Sequence, residues 1–353
     1  GGQKPGSMFT SVRSARVDQC LSEGKLSRAR ASPRRSLQCR AAKKRRDQLE
    51  QHHAATSGAV KFLSRRESLG VGLATYLLAD GVNVARAEEE VQVFIPVEKL
   101  SRPARQEQIA ALRKTINKAI IEHVKSDYRN SLELAFLDCI THNKMSKAGG
   151  SNGSIRIREE LDSLGLKYLE KTIDEIGKAK AAAEKNYPVP IDISWADMIA
   201  ITGYRKTLSH FRDVVAARAK DQNSANVILV AYGNDLPKPK LGRVDATSPD
   251  IVGGSLDLRP AELVMRAKEA GLTAQQIAAL ADAFPRKGDT TLDDIEKQIS
   301  AEDPKIANYI TNFDRSRKEL TQTSYQIDVG NAYYKLTSLG ATFDLDRYLV
   351  PIP

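Results

Sequence analysis

The chain has 353 residues, enough for one or two domains with a buried core, and a formal net charge of +10. Residues 1–87 hold 17 Lys+Arg against 6 Asp+Glu, whereas residues 88–353 hold 37 against 38. The basic excess therefore belongs to the N-terminal segment, and the rest of the chain has no charge excess that would favour a nucleic-acid partner.

The first part of the N-terminal segment predicts an organelle transit peptide. Residues 1–58 are rich in Arg, Ser and Ala and poor in acidic residues, which is typical of such peptides. Arg65 and Arg66 follow, ahead of an apolar stretch over residues 69–78. This stretch is too short to span a bilayer as a helix. An arginine pair before a short apolar stretch indicates a twin-arginine signal.

The targeting segment ends at a predicted cleavage site. Ala85 and Ala87 flank Arg86 in the small-x-small pattern at which signal peptidase cuts. We therefore predict a chloroplast transit peptide over 1–58, a twin-arginine lumenal signal over 59–87 and a mature domain over 88–353. This order of signals predicts the thylakoid lumen as the destination. The alternative is a disordered basic tail that contains a chance Arg-Arg pair.

The mature part predicts a succession of helices. Apolar residues recur at helical spacing, as in Ile109, Leu112, Ile116 and Ile120. Predicted helices cover residues 102–126, 128–142, 158–185, 194–219, 260–270, 273–285, 291–300 and 304–339. The apolar run over 227–230 is compatible with an extended segment, and no predicted helix is apolar enough to cross a membrane. The pattern predicts one all-α domain.

Several helix ends are marked by capping residues. Ser194 can cap the helix that follows it, and Pro260 suits the first turn of another helix. Gly271 is a helix-ending residue. Thr273 and Gln276 have the spacing of a capping box.

Four short motifs resemble class I plant-type haem peroxidases, the ascorbate peroxidase branch. They are residues 149–156 (Gly-Gly-Ser-Asn-Gly-Ser-Ile-Arg), 193–197 (Ile-Ser-Trp-Ala-Asp), 242–245 (Gly-Arg-Val-Asp) and the run from Gly271-Leu272 to Ala279-Leu280. They occur in the family's order over about residues 102–340. The resemblance implies the all-α fold of plant-type haem peroxidases, with haem as the family's cofactor and ascorbate peroxidation as its activity.

Within the family, the chain is most similar to a lumenal branch of ascorbate-peroxidase homologues. That branch shares Gly-Gly-x-Asn-Gly-Ser-Ile-Arg, here residues 149–156, and Ala-Tyr-Gly, here residues 231–233. This resemblance implies association with photosystem II membranes, so a thylakoid-membrane or photosystem II protein is the expected partner.

The family's distal haem residues are replaced. The family places an Arg, an aromatic residue and a His at positions i, i+3 and i+4 of one helix, and these positions match Glu133, Phe136 and Leu137. A leucine can neither accept a proton nor donate a hydrogen bond. Glu133 would bring a carboxylate where the family's chemistry needs positive charge, although a Glu is an ordinary residue for a helix surface.

The family's proximal His is replaced as well. Its position matches Phe284, whose side chain cannot ligate iron. A haem-sized void would be costly, so we predict that Phe284, Phe136 and Leu137 form a packed apolar cluster. We expect a degenerate haem site with no catalytic residue, no bound haem and no metal.

Other candidate ligands have ordinary structural explanations. The mature part contains three histidines, His123, His142 and His210, which we expect at the surface or at helix ends. Cys139 lies on an apolar stripe with Phe136 and is expected to be a small buried hydrophobic residue.

The sequence thus favours a non-catalytic, haem-free interaction protein of the thylakoid lumen. Two alternatives stay open. One is a residual ascorbate-dependent peroxidase that uses another ligand in the response to oxidative stress, which a visible absorbance band would reveal. The other is a small-ligand binder that uses the former haem cleft, which a ligand-induced rise in melting temperature would reveal.

Overall fold

The structure is a computed structural model that describes residues 94–232, 236–251, 256–286, 288–319 and 323–352. The predicted targeting residues lie outside these ranges: Arg65, Arg66, Ala85 and Ala87.

The described residues form eleven α-helices. In chain order they are α1 (Arg102–His123), α2 (Tyr128–Ile140), α3 (Arg158–Leu164), α4 (Glu170–Asn186), α5 (Trp195–Arg218), α6 (Gln222–Tyr232), α7 (Pro260–Ala270), α8 (Ala274–Ala279), α9 (Leu292–Glu302), α10 (Pro304–Lys318) and α11 (Thr323–Leu336). Extended residues in the described ranges make isolated bridges, such as Ile95 with Ile352, and no strand. The predicted all-α class is therefore confirmed.

The predicted capping residues begin and end helices as expected. The Ser194 hydroxyl accepts the N–H of Asp197 at 3.1 Å, which satisfies a free donor at the start of α5. Thr273 and Gln276 form a reciprocal capping box at the start of α8. Gly271 ends α7 with a φ of 104°, a left-handed conformation that favours glycine.

Two predicted long helices are broken in the structure. The predicted helix over 158–185 is wrong as a single element, because α3 ends at Leu164 and α4 begins at Glu170. Gly165 lies between them with a φ of 67° and ends α3, as glycine commonly does after the last helical turn. The predicted helix over 304–339 divides into α10 and α11, and the extended backbone of Glu319 ends α10.

The apolar run over 227–230 is helical, not extended, and lies inside α6. Asp221 precedes this helix, and its carboxylate accepts the backbone N–H of Ser224 at 2.8 Å. A short run of consecutive apolar residues does not distinguish a strand from a helix by its periodicity. The cap at Asp221 is the local signal that favours the helix.

The helices pack in two groups. In the first group, α2 packs against α5 and α1 packs against α4. In the second group, α8 packs against α10 and α11. The groups meet where α2 contacts the 3₁₀ turn Ala281–Ala283. Among the described helices, none combines the length and apolarity needed to cross a lipid bilayer.

Two of the peroxidase-like motifs bind each other and fix the start of α5. The Asp197 carboxylate accepts the N–H of Gly242 at 2.7 Å and pairs with Arg243 Nη1 at 2.8 Å, and both charged side chains are fully buried. Asp245 accepts the first two N–H groups of α5, each at 2.9 Å. These motif residues therefore hold the fold together.

The glycine-rich motif fixes the end of α2. The Asp138 carboxylate accepts the N–H groups of Gly153 at 3.1 Å and Ile155 at 3.4 Å. Gly153 has a φ of 72°, and a Cβ there would lie 2.9 Å from the backbone nitrogen of Ala196. Glycine is therefore the residue that fits this close approach. Burial raises the pKa of Asp138 to about 8.

Candidate functional site

Helix α2 carries the three residues that the family resemblance assigns to the distal side. Asp127 precedes the helix, and its carboxylate accepts the N–H of Tyr128 at 2.6 Å. Glu133, Phe136 and Leu137 share one face of the helix because residues at i, i+3 and i+4 lie together. Their exposed fractions are 7%, 0% and 0%, so this face lies inside the protein.

Phe284 reaches the same interior from the other group of helices. The chain leaves α8 through the 3₁₀ turn Ala281–Ala283 and then extends, with φ −72° and ψ 137° at Phe284. Pro285 follows and disfavours a helical conformation at the preceding residue, which explains this extended geometry. Phe284 is 1% exposed.

The two aromatic rings are in contact. The ring centroids of Phe136 and Phe284 lie 4.9 Å apart, and the ring planes are inclined by 33°. Leu137, the neighbour of Phe136 on α2, is fully buried in the hydrophobic core. This spacing lies within the range of favourable aromatic pairs. The predicted contact between Phe136 and Phe284 is therefore confirmed, and we call these two rings, with Leu137, the Phe136–Phe284 cluster.

Glu133, one helical turn from Phe136, is buried. The hydroxyl of Tyr168 donates a hydrogen bond to Glu133 Oε1. Burial raises the pKa of Glu133 from its ordinary 4.5 to about 7, although Tyr168 and the nearby Arg286 and Arg129 favour the charged form. The position that matches the family's arginine therefore holds a carboxyl group that releases its proton near neutral pH.

We expect the pKa of Glu133 to make stability depend on pH. Between pH 4.5 and 7 the folded protein keeps a proton that the unfolded chain has released, so the free energy of unfolding falls as pH rises through this window. Glu133→Gln is neutral at every pH and keeps an acceptor for Tyr168. Urea titrations at pH 5 and pH 8 measure how far the free energy of unfolding falls over this range. This fall should be smaller in the variant than in the parent chain by about 2–3 kcal/mol.

Glu159→Gln is the matched control for this experiment. Glu159 is exposed on α3, and the same change there should leave the pH dependence of the parent chain unaltered. Asp138 contributes in the same direction as Glu133 and is present in all three proteins. Equal pH dependence in the Glu133→Gln variant and the parent chain would contradict the raised pKa of Glu133.

A second polar group near the cluster was missed by the sequence analysis. The hydroxyl of Tyr128 donates to Asp282, and Asp282 pairs with Arg286. The ring of His210 stacks on Tyr128 with 3.8 Å between centroids, and burial lowers the pKa of His210. His210 is half-buried within α5, which corrects the expectation of a position at the surface or at a helix end. The only indication of this polar group in the sequence is Asp282, a carboxylate within the alanine-rich run 278–283.

The remaining candidate ligands lie in ordinary structural positions. His123 is the last residue of α1, as predicted. His142 Nδ1 lies 3.3 Å from the carbonyl oxygen of Ala148. Cys139 is buried, as predicted, and burial raises the pKa of its thiol. Within the described ranges, no three His, Cys, Asp or Glu side chains come together in a way that could hold a metal ion.

Comparisons with known proteins agree with this architecture. The family model described as Peroxidase matches residues 110–348. The chain is 30% identical over 262 residues to the chloroplastic thylakoid lumenal 29 kDa protein of Arabidopsis thaliana. This alignment covers 70% of each protein. It is 26% identical over 280 residues to the protein of the same name from Solanum lycopersicum, covering 76% of this chain and 78% of that protein.

A solved structure shows the same fold. The crystal structure of the TL29 protein from Arabidopsis thaliana superposes with a TM-score of 0.60 at 24% sequence identity. The superposition covers 70% of this chain and 99% of that one. The match to the family model and the identity to the lumenal proteins both extend over most of the helical part. The chain therefore belongs to the peroxidase family, among the homologues of the thylakoid lumenal 29 kDa protein.

Proposed function

We propose that this chain is a haem-free, non-catalytic peroxidase homologue that acts as an interaction protein of the thylakoid lumen, associated with photosystem II membranes. The contact between Phe136 and Phe284 is the main support. A flat macrocycle between two rings needs about 3.5 Å of van der Waals distance on each side. The ring centroids are 4.9 Å apart, which is too close for a porphyrin to lie between them.

The residues at the matched positions also do not fit a haem or its chemistry. Phe284 has no atom that can ligate iron, and Leu137 has none that can take a proton from peroxide. Glu133 is buried and accepts a hydrogen bond from Tyr168, so the matched arginine position supplies no positive charge. These three residues support a protein that works through contacts with other molecules and not through turnover.

A visible spectrum tests the haem-free proposal. The chain produced with an ample supply of haem should show no stoichiometric Soret band and no ascorbate-dependent consumption of peroxide above that of buffer. General acid–base catalysis by a distal residue raises the rate by a factor of about 10²–10⁴. Phe284→His alone should therefore remain inactive, because Leu137 cannot act as that acid or base. A Soret band at one haem per chain, with peroxide turnover, would favour the residual-peroxidase alternative.

The names of the relatives and the N-terminal pattern together support the lumenal location. Both relatives are named as chloroplastic thylakoid lumenal proteins. We expect isolated thylakoids to import the chain by the twin-arginine route and to cut it after Ala87. Replacing Arg65 and Arg66 with lysine should block that import. Unimpaired import of this variant would contradict the twin-arginine signal.

The same import assay addresses the partner. After import, the mature chain should fractionate with membranes enriched in photosystem II. Recovery only in the free lumenal fraction would contradict the proposed association with photosystem II while leaving the haem-free fold untouched.

A further inference from the structure

A basic cavity lies between α1, α5 and the segment over 236–241. Its volume is about 210 Å³, and Arg113, Asn117, Tyr204, Arg205, Arg212 and Lys238 line it together with one leucine. A wider neighbouring cavity of about 480 Å³ shares four of these residues. None of the residues that line the smaller cavity is acidic, and none belongs to the Phe136–Phe284 cluster. We call this smaller space the basic cavity.

Two arginines of the basic cavity each have a guanidinium N–H without a partner among the described residues. Arg113 Nη2 donates to the carbonyl oxygen of Pro239 at 2.8 Å, whereas Arg113 Nη1 is buried without a partner among the described residues. Arg205 Nε is also buried, and it too has no partner among those residues. Burial lowers the pKa values of Arg113 and Arg205, and Arg212 lowers that of Arg205 further. The basic cavity therefore concentrates positive charge in a place where burial disfavours the charged forms of Arg113 and Arg205.

Some other half-buried arginines among the described residues have carboxylate partners. Arg317 pairs with Glu296 at 2.7 Å, and Arg347 pairs with Asp192 at 3.0 Å. The carboxylate that acts on Arg113 is that of Asp197, which Arg243 and backbone donors already bind. A buried donor without an acceptor is unfavourable, so the two N–H groups that lack one among the described residues favour an acceptor that binds in the basic cavity.

We propose that the basic cavity binds a tetrahedral oxyanion of the phosphate or sulfate class. The cations reach it from three parts of the fold, α1, α5 and Lys238, and a tetrahedral group can accept hydrogen bonds from several directions at once. Guanidinium groups suit such anions because their N–H groups form a planar fork. Arg113 and Arg205 form no ion pair with a carboxylate among the described residues, and two such cations favour a doubly charged group over a single carboxylate.

The wider cavity has room for a larger molecule that carries the anion. Ala110 and Ile121 line it, so an organic group attached to the anion would find apolar contacts there. A soluble ester and a lipid headgroup present the same charged group. The proposal concerns that shared chemistry, and it is independent of the haem-free function proposed above.

Calorimetry on the full chain tests the site with inorganic phosphate as the probe, at a constant ionic strength set by chloride. Saturable binding at one ion per chain is expected, with acetate binding at least about tenfold more weakly. Arg205→Gln should weaken phosphate binding by about tenfold or more, since it removes a charge-assisted hydrogen bond. Lys238→Gln should also weaken binding, and because Lys238 is exposed this change leaves the core intact.

Arg158→Gln is the matched control, because Arg158 is 79% exposed on α3 and does not line the cavity. Vesicles of phosphatidylglycerol in phosphatidylcholine, compared with phosphatidylcholine alone, distinguish the sources. Vesicle binding that Arg205→Gln and free phosphate both reduce would support a lipid headgroup, whereas binding of free phosphate alone would support a soluble ester. If phosphate and chloride act alike, or if Arg158→Gln weakens binding as much as Arg205→Gln, the proposal is overturned.

Discussion

Phe284→Ala is expected to lower the free energy of unfolding by about 3–5 kcal/mol, the usual cost of truncating a buried aromatic residue. Phe284 is 1% exposed and contacts Phe136 across the boundary between the two groups of helices. The structure around a truncated core residue relaxes only in part, so a cavity adds to the lost contacts. Equilibrium unfolding in urea at pH 7 measures this change.

Matched variants separate the aromatic contact from a general loss of volume. Phe284→Leu keeps much of the volume and should be destabilising by less than half as much. Phe94→Ala removes the same ring from a residue that is 53% exposed and should change stability by about 0.5 kcal/mol or less. Because the two rings touch, the effects of Phe284→Ala and Phe136→Ala should not add. A small effect of Phe284→Ala would indicate an open cleft and favour the ligand-binding alternative.

The sequence predicted most of the fold because its signals are local. The spacing of apolar residues indicates the helices, and Ser194, Thr273 and Gly271 mark helix ends through hydrogen bonds within a few residues. The residues of the Phe136–Phe284 cluster could be named because they match positions in family motifs. Their contact could be predicted because an empty haem-sized cavity would strongly destabilise the fold.

The local sequence does not indicate the burial of Glu133, because that burial depends on helices distant in the sequence. All residues over 131–140 of α2 are buried, so this helix has no solvent face and its sequence lacks a clear polar side. A polar residue in an amphipathic pattern indicates exposure only where the helix has such a face. Tyr168, the partner of Glu133, is 35 residues away.

The polar group around Tyr128 was missed for a similar reason. Tyr128 and Asp282 are 154 residues apart in sequence and meet only because α2 packs on the turn Ala281–Ala283. The basic cavity also joins distant parts of the chain, with Arg113 on α1 and Arg205 on α5. Net charge describes the whole chain, so it does not reveal such a local concentration.

Arg243→Met and Asp197→Asn are each expected to lower the free energy of unfolding by about 3–5 kcal/mol, because each leaves a buried charge or donor without its partner. The two side chains are fully buried and lie 2.8 Å apart. Arg243 also donates to the carbonyl oxygen of Thr337 through Nε and Nη2, at 3.1 and 2.6 Å. The pair therefore joins α5 to the end of α11. Thermal and urea unfolding measure the loss.

The double variant Asp197→Asn/Arg243→Met identifies the cause of that loss. If the cost arises mainly from an uncompensated buried charge, removing both charges should destabilise the protein by clearly less than the sum of the single changes. The exposed pair of Arg158 with Asp162, at 3.7 Å, is the control, and Arg158→Met should change stability by about 1 kcal/mol or less. Additive effects in the double variant would show that the two residues act separately. The motif would then stabilise the fold through its backbone hydrogen bonds, such as that from Gly242, and not through the ion pair.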